Sequence, residues 1–131
     1  MIGLVVVAHA GLAAELLRAC EMIVGPVEKA VAIEIKPDDS VEIIRTALTS
    51  ALATVSEDGV IIMTDMFGGT PSNMSLSFLE ENRIEVLTGV NLPMMIKFAS
   101  DRLRLGVAEL AAKIRDTGRD GVAVAGDYLK K

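Results

Sequence analysis

Short apolar runs alternate with amphipathic stretches along the whole chain, with no linker between them, and this alternation limits the fold more than anything else. Residues 2–8, 31–35, 60–64 and 84–88 read as strands: 2–8 and 60–64 are continuous apolar or β-branched runs, and 31–35 and 84–88 are short apolar stretches broken only by Glu34 and Glu85. The stretches at 11–25, 40–57, 71–80, 93–100 and 105–117 carry apolar residues at helical spacing. Val41, Ile44, Leu48, Leu52 and Val55 show it best. Gly25-Pro26 stops the first helix, Asp39 or Ser40 caps the second, and Thr70 caps the third ahead of Pro71. Thr117-Gly118-Arg119-Asp120-Gly121 reads as a turn before a last short strand, Val122–Ala125. Strand–helix alternation of this kind predicts an α/β fold: a doubly wound, mainly parallel sheet with helices on both faces.

The chain has 131 residues, of which 51% are apolar, so it is read as one domain, 1–131, with a sizeable core. With three Phe, one Tyr and no Trp, that core has to be aliphatic. The net charge of −5 and the lack of a basic cluster exclude nucleic acid as a partner. Cys20, the single cysteine, has no partner for an internal disulfide and reads as a buried thiol on the first helix. No apolar run has membrane-helix length, and the start lacks a basic n-region, so a cytoplasmic protein is expected.

His9 is the only histidine. It follows the first apolar run, which puts it at the carboxyl end of a parallel strand, where such sheets bind ligands. Imidazole is nucleophilic near neutral pH when one ring nitrogen is free and an acceptor holds the proton on the other. Asp65, directly after the third strand, is the candidate acceptor. Gly68-Gly69-Thr70 then offers backbone N–H groups and a hydroxyl at a helix start, which is anion-cradle chemistry. It is not a Walker A loop, so no nucleotide is implied. Each feature also has an architectural reading. His9 can donate to a strand-end carbonyl, Asp65 can serve the turn, and the glycines can simply make a tight connection. No His or Cys cluster surrounds His9, so neither metal nor cofactor is expected.

Taken together, the motifs resemble enzyme IIA of the mannose family of the bacterial phosphoenolpyruvate-dependent sugar phosphotransferase system. The resemblance rests on a histidine just after the first strand and on three strings. These are Asp65-Met66-Phe67-Gly68-Gly69-Thr70-Pro71-Ser72-Asn73, Gly89-Val90-Asn91-Leu92-Pro93-Met94 and Thr117-Gly118-Arg119-Asp120-Gly121. It implies that His9 accepts a phosphoryl group from the phosphocarrier HPr and passes it to a IIB component, serving a membrane permease indirectly. It makes His9 and Asp65 the catalytic pair, and Gly68, Gly69, Thr70 and Ser72 the phosphate-binding set. It also implies a homodimer that exchanges a short C-terminal antiparallel strand, here residues 122–126. The alternatives it leaves are a stand-alone regulatory module and the dihydroxyacetone kinase phosphotransfer subunit. The chain departs from the family where Ser or Thr usually precedes the histidine and Gly follows it. Here these are Ala8 and Ala10, which removes a hydroxyl and restricts the turn. No fused IIB domain is expected.

Overall fold

The computed structural model describes residues 1–66 and 68–129. Strands β1 (Gly3–His9), β2 (Ala30–Ile35), β3 (Val60–Thr64) and β4 (Ile84–Leu87) form one sheet in the order β2-β1-β3-β4. All three pairings are parallel. Helices α1 (Leu12–Val24), α2 (Val41–Val55), α3 (Thr70–Leu76), α4 (Leu92–Asp101) and α5 (Val107–Asp120) connect and cover it.

β1 and β3 are central and buried on both faces, which is why they read as unbroken apolar runs rather than alternating ones. Leu4, Val6, Ala8, Ile61 and Met63 point into a core closed by Ala13 and Cys20 of α1, Phe98 of α4 and Ile114 of α5. Val5, Val7, Val60 and Ile62 point the other way, onto Ile44, Leu48 and Val55 of α2. Each fully buried Val, Leu or Ile contributes about 2 kcal/mol, so the two clusters fix the strand register firmly.

The chain runs from β1 outward to β2, then crosses back to place β3 on the opposite side of β1. The switch point of the sheet therefore lies between the carboxyl ends of β1 and β3. Open α/β sheets bind ligands in the crevice at such a point.

Four local expectations need correction. Gly69, not Thr70, is the N-cap of α3, and Thr70 is the first helical residue. That helix ends at Leu76 rather than near Glu80. Ser77 and Phe78 bond back three residues, to Met74 and Ser75, and the Ser77 hydroxyl also donates to the Met74 carbonyl at 2.6 Å. Serines at 72, 75 and 77 favour such local bonds over continued helix.

Thr117–Gly121 is not a free turn, because α5 runs through it to Asp120. Gly118 is a packing residue there: a Cβ on it would stand 2.6 Å from Met94 Cγ of α4. Finally, Val122–Ala125 forms no strand in the single chain. Residues 122–124 are irregular and a 3₁₀ helix covers Ala125–Leu129. The tail satisfies its backbone locally, as where Asp127 N–H donates to the Val124 carbonyl at 3.0 Å.

Candidate active site

His9 ends β1 opposite Ile35 of β2. Asp65 follows Thr64, whose partner across the sheet is Val7. Parallel registry therefore places the two side chains next to one another. The His9 backbone N–H donates to Asp65 Oδ2 at 3.0 Å, and its Nδ1–H donates to the same oxygen at 2.8 Å. A carboxylate only accepts, so this contact places a proton on Nδ1, and the neutral form of the ring then carries its lone pair on Nε2. The imidazole is half exposed, at 51%, while Asp65 is 12% exposed. One partner is thus presented to solvent and the other held beneath it.

Burial pushes the Asp65 carboxyl up, but the two hydrogen bonds from His9 and the charge of its ring outweigh it, and the net direction is down. Asp65 stays ionised and can balance positive charge on the ring. Its Oδ1 is buried without a partner among the described residues, as are the Thr64 and Ser72 hydroxyls.

A cavity of about 420 Å³ opens over the imidazole, lined by His9, Ala10, Ile35, Lys36, Asp39 and Thr70 among others. Thr70 thus lines the same cavity as His9. Gly68 turns the approach to α3 at φ +84°, and Gly69 caps the helix with its carbonyl accepting from Asn73 N–H at 2.9 Å. Phe67 of this loop lies outside the described residues. Ser72 is fully buried in α3 and does not line the cavity.

Ala10 takes φ +52°, a left-handed conformation that costs a residue with a Cβ about 1 kcal/mol. The wall contributed by the loop after β2, Lys36 to Asp39, was not expected as part of the site. The available signal was Lys36-Pro37 itself, which directly follows a strand that ends at the same side of the sheet.

Fold and site together define an open, doubly wound α/β protein with a carboxylate-held imidazole at its switch point. A family model described as "PTS system fructose IIA component" matches residues 3–115. The chain belongs to this family, the IIA phosphotransferase components of the sugar phosphotransferase system.

It is 26% identical to the fructose-specific EIIA component of Bacillus subtilis (strain 168). That alignment covers 100% of this chain and 91% of the relative. It is 32% identical over 124 residues to the mannose-specific EIIAB component of Escherichia coli (strain K12). This match spans 92% of the chain but only 38% of that longer protein. The solved structure of the phosphotransferase system component EIIA from Streptococcus agalactiae superposes with a TM-score of 0.89 at 27% identity. It covers 97% of this chain and 99% of that one.

Proposed function

We propose that this protein carries a phosphoryl group on Nε2 of His9, taking it from phospho-HPr and handing it to a IIB component. The observation that carries this reading is the 2.8 Å contact between His9 Nδ1 and Asp65 Oδ2. The Nε2 lone pair attacks phosphorus as the donor's P–N bond breaks, and the donor nitrogen keeps that bond's electron pair. The Nδ1 proton stays in place throughout. The ring gains positive charge as the new P–N bond forms, and the Asp65 carboxylate stabilises that charge. The reverse sequence passes the group on.

Gly68, Gly69 and Thr70 meet the phosphoryl oxygens through backbone N–H groups and the Thr70 hydroxyl. Metal and nucleotide have no part in these steps.

We further infer a single domain, 1–131, working in the cytoplasm as a homodimer that serves a membrane permease through the IIB component. No helix among the described residues is long and apolar enough to cross a membrane. Support for the dimer comes from β4, an edge strand, and from the exposed apolar tail of Val122, Val124, Tyr128 and Leu129. Strand exchange onto such an edge would cover both.

Incubation with phosphoenolpyruvate, enzyme I and HPr, read by intact mass, should add one phosphoryl group, stable to base and labile to acid. His9→Ala should abolish the addition with the circular dichroism spectrum unchanged. Undiminished labelling of that variant would sink the assignment.

A further inference from the structure

Lys36 stands on the rim of the His9 cavity, and the phosphocarrier reading gives it no task. β2 ends at Ile35, opposite His9, and Ala10 N–H donates to the Ile35 carbonyl at 2.9 Å. Lys36 is the next residue, and its backbone is held on both sides. Its N–H donates to Asp39 Oδ2 at 2.8 Å, while Asp39 N–H donates to the Lys36 carbonyl at 3.1 Å. Pro37 between them has a fixed φ and keeps Lys36 extended. Neighbouring strands lie about 4.8 Å apart, so the flexible four-carbon stem of a lysine spans the gap to the imidazole.

Charge decides what that side chain can do. Asp39 lines the cavity and Asp65 lies beneath the ring. A phosphoryl group on Nε2 adds roughly −1.5 to −2 of charge to this acidic setting. Backbone N–H groups donate hydrogen bonds but bring no net charge. Among the described residues lining the cavity, Lys36 is the only cation. Its ammonium forms no ion pair with any described residue, whereas Lys29 and Lys97 each hold a carboxylate.

We propose that Lys36 binds the phosphoryl group on His9, its ammonium against the phosphoryl oxygens, and so stabilises the phosphorylated form. This rests on the reading of His9 as the phosphorylated residue.

The measurement that isolates it is the equilibrium constant for transfer between phospho-HPr and this protein. A lysine that only helps the two proteins dock changes forward and reverse rates alike and leaves that constant unmoved. A lysine that binds the phosphoryl group shifts it. Lys36→Gln should move the equilibrium toward phospho-HPr by about tenfold, the size of one partly screened charge at a few ångströms. Lys36→Arg should stay within about threefold of the parent, and added salt should narrow the gap between parent and Gln variant. An equilibrium constant in Lys36→Gln equal to the parent's, whatever the rates, overturns the proposal while leaving the phosphocarrier reading intact. If the parent protein itself takes up no phosphoryl group, both fall together.

Discussion

The two ends of the sheet are built to different standards. At the amino end, the buried charges are paired. Arg102 is 6% exposed, yet its Nε and Nη2 both donate to the Ile2 carbonyl, at 3.0 and 2.6 Å. Its guanidinium also lies 4.7 Å above the Phe98 ring. The neighbouring Asp101 pairs with Arg104 at 2.7 Å and Lys97 at 3.0 Å, and these contacts bring its carboxyl down to about 2. At the carboxyl end, one oxygen of Asp65 and the hydroxyls of Thr64 and Ser72 are buried without partners among the described residues. Ala10 is held left-handed and the imidazole is half exposed. Left-handed backbone occurs at both ends, since Lys29 and Asn82 adopt it just ahead of β2 and β4, so the contrast lies in the polar groups: unmet ones gather around the imidazole, while buried charges are paired at the opposite end.

Substitutions at each end should therefore fail in different ways. The largest effect on stability is expected from Arg102→Ala. It removes charged hydrogen bonds to a buried carbonyl and the packing of the stem over Phe98. Urea unfolding should show a loss of about 3 kcal/mol, while the folded protein is still labelled on His9. A loss of labelling without a loss of stability would break the division between the two ends.

Asp65→Asn should do the converse. The shape is kept but the charge is gone, so transfer should slow by about tenfold or more in rapid-quench measurements. The parent's Asp65 carboxyl lies below the usual range in the folded state. Its stabilising contribution is present above the unfolded value near 4 and lost as pH falls through the folded one. The Asn variant should lack that part of the acid dependence in denaturation curves. Parent-like transfer in both directions would reduce Asp65 to a turn residue.

Ala10→Gly should have the smallest effect, and a favourable one. Relief of the left-handed strain, less the extra freedom of glycine in the unfolded chain, should raise stability by about 0.5 to 1 kcal/mol. A variant less stable than the parent would show that the Ala10 methyl packs usefully at the rim.

Much of this protein is legible in its sequence because short-range physics dictates it. Unbroken apolar runs such as Val5-Val6-Val7 and Val60-Ile61-Ile62 have few folds other than central parallel strands. The only histidine, sitting at the end of one of them, falls at the ligand-binding side of any such sheet. The motif around Asp65 marked the second half of the site, and the family match over residues 3–115 agrees with the family read from it.

Other features depended on neighbours far along the chain. Gly118 reads as a turn signal until Met94 of α4 is seen to fill the space where its side chain would be. Val122–Ala125 reads as a strand from its composition, but a strand needs an edge to pair with, and within one chain the tail closes on itself instead. Lys36 and Asp39 look like ordinary loop residues. Only the registry of Ile35 with His9 brings them to the cavity. Local sequence determined which elements form and where the imidazole must lie, because propensity and burial act residue by residue. Tertiary structure alone decided which loops wall the imidazole in, since strand order and register join residues that the sequence keeps apart.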